Sequence, residues 1–201
     1  MDKISIYVLD TRKYTYNDLL TFTKLNDEDV MFLSKFRVLE VKKEKLISYY
    51  FKKKYVGEFH LNEYGKPMSD NVYFNISHSK GVVVIAVSQN HEVGVDIELL
   101  QPKDKELVKY VCNDEEYRFV KNEVDFISIW TNKESIVKCV GTGIKNKIKD
   151  IPSLPLNGKK EYNDETFYSK IIKHGGAIIS ITIKDDEDFE YILKTEDMKN
   201  E

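Results

Sequence analysis

The chain has 201 residues, 41% hydrophobic and 32% charged, enough for one ample core or two small ones. A net charge of -3 argues against a general nucleic-acid binder, and no apolar run approaches the length of a membrane span. Two cysteines, Cys112 and Cys139, belong to no ligand-spaced pair, and the opening Met1-Asp2-Lys3-Ile4-Ser5 lacks the layout of a secretion signal, so a cytoplasmic protein with packed, reduced thiols is expected.

In chain order, Ile4 to Leu9 reads as a first strand, and Asn17 to Tyr55 as one or two amphipathic helices, with Asn26 as a cap for the second. From Lys35 to Lys54 there are eight basic and two acidic residues, which makes this stretch the better candidate for partner contact. In Glu63-Tyr64-Gly65-Lys66-Pro67, glycine and proline bracket a lysine and impose a turn. Tyr73 to Ser77, Val82 to Ser88 and Val93 to Glu98 are short β-rich runs that predict an antiparallel meander. Helices return after Pro102: Asn113 caps a turn beginning Asp114-Glu115-Glu116, and Asp125 to Val140 is a longer helix stopped by Gly141 and Gly143. Thr166 to Ile172, Ala177 to Lys184 and Phe189 to Leu193 predict a second meander. The last segment, from Lys184 to Glu201, carries three basic and eight acidic residues and reads as a solvated end.

An internal echo links His78-Ser79-Lys80-Gly81 and the following strand to His174-Gly175-Gly176 and its strand. It predicts an α+β protein of two similar halves, residues 1–100 and 101–201, each with helices packed on a small antiparallel sheet. The boundary falls near Leu99 to Asp104, and the seam between halves is where a ligand cleft is expected. A cleft completed within one chain needs no second subunit, so a monomer is expected.

Chemistry concentrates at that seam. In Val93-Gly94-Val95-Asp96-Ile97-Glu98, the two carboxylates are two residues apart and share one face of a strand. In Trp130-Thr131-Asn132-Lys133-Glu134-Ser135-Ile136-Val137-Lys138, Glu134 and Lys138 are four apart and share one face of a helix. Three carboxylates with a lysine suit magnesium and a phosphate ester. Taken singly, each feature has an ordinary reading: a Glu and a Lys at that spacing form a weak surface pair of roughly 0.3–0.5 kcal/mol. Trp130 opens an apolar helix face and reads as core, and Lys133 points about a quarter-turn from Glu134 and reads as structural.

Tyr64-Gly65-Lys66-Pro67, Phe74-Asn75-Ile76-Ser77-His78-Ser79, Gly94-Val95-Asp96-Ile97-Glu98, Trp130-Thr131-Asn132-Lys133-Glu134-Ser135, and Lys138 with Gly141-Thr142-Gly143-Ile144 together resemble the 4'-phosphopantetheinyl transferases, most nearly the surfactin-synthetase-activating type. The ordered motifs span roughly residues 63–144, while the first fifty or so residues resemble the family only weakly. The resemblance implies transfer of the phosphopantetheine arm of coenzyme A to a serine hydroxyl of an acyl or peptidyl carrier protein, with release of 3',5'-ADP. It further implies a pseudo-twofold relation between the two α+β halves with coenzyme A bound between them, Asp96, Glu98 and Glu134 as magnesium ligands, and Lys138 as a phosphate contact. Lys66, Ser77 and His78 resemble coenzyme contacts, and the general base corresponds to Glu116, with Glu115 or a water as alternatives. Lys35, Arg37, Lys42, Lys43 and Lys45 are candidates for the coenzyme's 3'-phosphate, and an acidic carrier helix is expected against the same basic stretch. The competing readings are a module that binds coenzyme A or carrier without turnover and a magnesium-dependent phosphohydrolase.

Overall fold

Strand β1 (Lys3–Asp10) opens the computed structural model, which describes residues 3–102, 104–143 and 147–197. Ile144 of the glycine motif, the opening Met1-Asp2 and the last four residues of the acidic segment lie outside the described residues. Ile4, Ile6 and Val8 alternate into one core while Leu9 faces another, as period-two spacing dictates.

The helical stretch divides into three: α1 (Tyr16–Thr23), α2 (Asp27–Leu33) and α3 (Leu39–Tyr55). Thr15 and Asn26 each head a reciprocal capping box, and Lys24 ends α1 in a left-handed conformation at φ 47°. Asn26 is thus a cap, as expected, but it starts the second of three helices. Strands β2 (His60–Leu61) and β3 (Pro67–Met68) form a two-residue ladder around the Tyr64-Gly65-Lys66 turn. Asn62 Oδ1 accepts from the Tyr64 and Lys66 amides at 2.9 and 2.8 Å, which fixes the turn.

Strands β4 (Tyr73–Ser79) and β5 (Val82–Ser88) form a hairpin through Lys80 and Gly81, both at positive φ. Strand β6 (Val93–Leu99) follows, then helices α4 (Lys105–Val111), α5 (Asp114–Phe119) and α6 (Glu123–Val140). Asn113 and Asn122 head capping boxes, and Gly141 at φ 76° closes α6. The remaining strands are β7 (Gly158–Tyr162), β8 (Glu165–His174), β9 (Ala177–Ile183) and β10 (Glu190–Thr195).

Two four-stranded sheets result, in orders β10-β1-β5-β4 and β6-β9-β8-β7. The architecture is α+β, with helices on the outer face of each sheet. Helices α1 to α3 bury Leu19, Leu46, Ile47 and Phe51 against Val83 and Ile85 of β5. Helix α6 buries Ile129 and Ile136 with Phe167 of β8 and Ile178 of β9. Between the sheets lies a third cluster that joins Ile6, Val84, Val95, Ile97, Ile179 and Ile181. Strands β5 and β9 are accordingly buried on both faces, and they are the two echoed segments.

The expected meanders are corrected. Strand β6 does not continue from β5 but pairs antiparallel with β9, and β10 leaves β9 to pair parallel with β1. Strand β7 completes the second sheet at its outer edge. The physical reason is that Val93, Val95 and Ile97 find a dry face only between the two sheets, a burial that local turn signals do not encode. The sheets therefore do not divide at residue 100, because each takes one strand from the other side of that point.

Candidate active site

On β6 the odd residues Val93, Val95 and Ile97 enter the core between the sheets, so Gly94, Asp96 and Glu98 take the other face. That face meets α6. A Cβ built on Gly94 would lie 2.0 Å from the Ser135 carbonyl oxygen and 2.4 Å from the Cys139 amide nitrogen, so the helix backbone rests directly on the strand there. Hydroxyls pack the same contact: Ser135 Oγ lies 2.9 Å from Ser180 Oγ and 2.7 Å from Thr182 Oγ1. With Ser135 to Cys139 pinned over Gly94, Lys138 reaches Asp96 of β6, and Glu134 comes within electrostatic range of Asp96 and Glu98.

Lys138 Nζ donates to Asp96 Oδ1 at 2.5 Å and to Ser77 Oγ at 2.8 Å, and the Ser77 hydroxyl contacts the same Asp96 oxygen at 2.9 Å. Asp96 is 4% exposed, yet its second oxygen, Oδ2, is buried with no hydrogen-bond partner. A buried carboxylate oxygen left unpaired costs free energy unless a cation or donor reaches it. Glu98 accepts from the Ser79 hydroxyl at 2.6 Å.

Burial pushes the Asp96 carboxyl above its ordinary range, against the pull of Lys138 and Ser77. Glu98 is raised by burial first and by repulsion from Asp96. Glu134 is raised by burial first, then by Asp96 and Glu98, with Lys138 opposing. Asp96 thus acts on both Glu98 and Glu134, with Lys138 opposing at all three and Lys80 also opposing at Glu98. Such an all-oxygen donor set fits a hard divalent cation. Among the described residues no three His, Cys, Asp or Glu side chains stand close enough to cage an ion as placed.

Lys66 docks on the end of α6, where its ammonium donates to the Cys139 carbonyl at 2.8 Å, and burial lowers its pKa. Tyr64, Lys66, Asn75, Ile76, Lys138 and Gly141 line a cleft of about 240 Å³ beside the carboxylates. The Cys139 thiol is buried and pushed up to about 12, the packed and inert thiol expected.

His78 is held on both ring nitrogens. Nδ1 faces Glu44 Oε2 at 3.0 Å and Nε2 faces Lys45 Nζ at 3.2 Å. Burial, the largest influence, lowers its pKa, which fits a neutral ring that donates through Nδ1 and accepts from Lys45. The expected phosphate donor is therefore engaged, and Lys45 is the member of the basic stretch that the structure brings beside it. Elsewhere in that stretch Lys42 lies over the Tyr16 ring, Lys52 over Phe59, Lys53 pairs with Asp29 and Lys54 with Glu196.

Glu116 is not brought to the cluster. It is 1% exposed; Oε2 pairs with Lys133 Nζ at 2.8 Å and accepts the Asn113 amide at 2.9 Å, and Oε1 accepts from Ser153 at 2.6 Å. Lys133, 0% exposed, also donates to the Ile148 and Ile151 carbonyls. In this arrangement both oxygens of the expected base, Glu116, are filled, because the α5 cap turns it inward; Glu115, the alternative, is exposed.

Sequence reasoning quoted Asn75, Ser79 and Gly94 within motifs but gave them no role of their own, and it did not single out Glu44. A signal for two of the contacts was present: Ser77 to Asp96 and Ser79 to Glu98 share one separation of 19 residues, the mark of strands running side by side in one direction.

Residues 92–182 match the family model described as the 4'-phosphopantetheinyl transferase superfamily. The chain is 40% identical over 93 residues to 4'-phosphopantetheinyl transferase gsp of Aneurinibacillus migulanus, which covers 43% of this chain and 39% of that protein. It is 35% identical over 108 residues to 4'-phosphopantetheinyl transferase Sfp of Bacillus subtilis (strain 168), 49% of this chain and 44% of that protein. With 4'-phosphopantetheinyl transferase HetI of Nostoc sp. it shares 30% over 108 residues, 47% of this chain and 45% of that protein. The chain thus spans less than half the length of these relatives, and the matched stretch contains β6 and α6, the two elements that carry the carboxylates. The family resemblance read from the motifs is borne out.

Proposed function

We propose that this chain is a 4'-phosphopantetheinyl transferase that moves the phosphopantetheine arm of coenzyme A onto a serine hydroxyl of an acyl or peptidyl carrier protein and releases 3',5'-ADP. The observation that carries the reading is the Lys138–Asp96 ion pair with one buried Asp96 oxygen unpaired, and Glu98 and Glu134 within electrostatic range of it, inside the stretch that matches the family. Asp96, Glu98 and Glu134 would hold magnesium, which when bound supplies charge neutralisation for the pyrophosphate.

The serine oxygen forms a bond to the phosphorus that carries the pantetheine arm, the bond from that phosphorus to the ADP oxygen breaks with its electron pair leaving on 3',5'-ADP, and the serine proton passes to water. Lys138 supplies a fixed positive charge for the diphosphate as that oxygen departs. Because Lys138 is already tied to Ser77 and Asp96, little reorganisation is needed when charge develops. Lys66, which lines the cleft, is assigned with Ser77 and His78 to the coenzyme's phosphates, and Lys45 beside His78 to the same task. Loose phosphoryl transfer requires little proton removal from the alcohol early on, so the reaction places no demand on the filled oxygens of Glu116. A cytoplasmic, monomeric enzyme belongs to the same reading.

The test incubates the chain with magnesium, coenzyme A and a panel of apo carrier proteins. Mass spectrometry is expected to show a carrier gaining one phosphopantetheine, and Asp96→Ala and Glu134→Ala to lower the rate about 10²-fold or more with the fold retained. No gain on any carrier would favour a binding module; release of inorganic phosphate from simple esters would favour a phosphohydrolase.

A further inference from the structure

Strands β4 and β6 are the facing edges of two different sheets, and among the described residues no backbone ladder joins them. Alternate side chains of β4 bridge the gap instead. Asn75 Oδ1 accepts from the Val95 amide at 3.0 Å, the Ser77 hydroxyl reaches Asp96 Oδ1, and the Ser79 hydroxyl donates to Glu98 Oε2 at 2.6 Å. Residues two apart share a strand face, so Asn75, Ser77 and Ser79 form one row against one neighbour. All three are buried, at 7%, 6% and 8% exposure.

The row does two different things. Asn75 satisfies a backbone donor of β6 that points away from β9, and so sets where β6 stands along β4. Ser79 acts on a side chain. Glu98 is only partly buried, and without a partner its flexible stem would sample several rotamers at an entropic cost to any ligand that needs one of them. A neutral hydroxyl on Oε2 fixes the carboxylate without cancelling its charge.

We propose that Ser79 is a positioning residue that holds the Glu98 carboxylate ready for a divalent cation, with Asn75 keeping the two strands in register. The inference rests on the ion site proposed above, and its test separates the two. Manganese(II) is titrated into the full chain, and the free ion is counted by electron paramagnetic resonance. Ser79→Ala is expected to weaken ion binding about 10-fold. Its thermal midpoint is expected to stay within about 4 °C of the parent. Ser79→Thr, which keeps the hydroxyl, is expected to restore the parent affinity.

Parent-like affinity in Ser79→Ala, with binding lost in Glu98→Ala, overturns the positioning role and leaves the ion site standing. A larger fall in midpoint that Ser79→Thr does not reverse overturns it too, because the residue is then merely packing. Parent-like affinity in Glu98→Ala and Glu134→Ala, or no binding by the parent, removes the ion site and this inference with it.

Discussion

Lys133 and Glu134 are neighbours in the chain with opposite surroundings. One step along α6 turns Lys133 into a sealed interior, where Glu116 and two carbonyls hold its ammonium, while Glu134 faces the half-open carboxylate cluster. Sequence reasoning read Lys133 as structural, and the structure gives it that environment. The same reasoning attached Glu116 to the reaction, although its side chain closes a capping box and then an ion pair. Removing one member of a buried pair strands the other, so Glu116→Ala and Lys133→Ala are each expected to lose about 3–5 kcal/mol in urea unfolding. Glu116→Gln distinguishes the roles. A variant with parent stability and no transfer would return Glu116 to the chemistry, whereas loss of stability with transfer retained in the folded fraction keeps it in the frame.

Helix α6 shows how an element delivers a site. Gly141 stops it, and the four-residue spacing of Glu134 and Lys138 puts both on one face, which was legible locally, while its start at the Asn122 cap comes earlier than the expected Asp125. What the helix lies against was not legible. Gly94 read as part of an apolar strand, yet the absence of its side chain lets the helix backbone settle onto β6 with a buried set of hydroxyls around it. Gly94→Ala would place a methyl group where the Ser135 carbonyl now stands, so α6 must lift. The expected result is a loss of about 1–3 kcal/mol in thermal melting, with transfer falling further than stability because Glu134 and Lys138 move together. Parent-like melting and activity would show that the helix does not need this approach.

At the scale of the whole molecule, exchange of β6 and β10 between the sheets ties the two halves together. The end of β10 is also clasped by the first half, where Tyr55 and Lys54 both bond Glu196. Units that share strands and a common core do not melt separately. Fluorescence of Trp130, the sole tryptophan, reports α6, and near-ultraviolet dichroism of the stacked Tyr7 and Tyr55 rings reports the first sheet and α3. Their urea midpoints are expected to coincide, and two resolved transitions would contradict the coupling. By itself the sequence determined the elements that depend on neighbours in the chain: the capped helices, the Lys80-Gly81 hairpin, the paired acids of β6 and the Glu134–Lys138 face. Only the tertiary structure decided which strand β6 would join, that β4 would meet it through side chains, and that Glu116 would face inward. The reason is physical: caps, turns and periodicity are settled within a few residues, whereas strand partners and the burial of a charge are settled by which apolar faces can exclude water together across the whole chain.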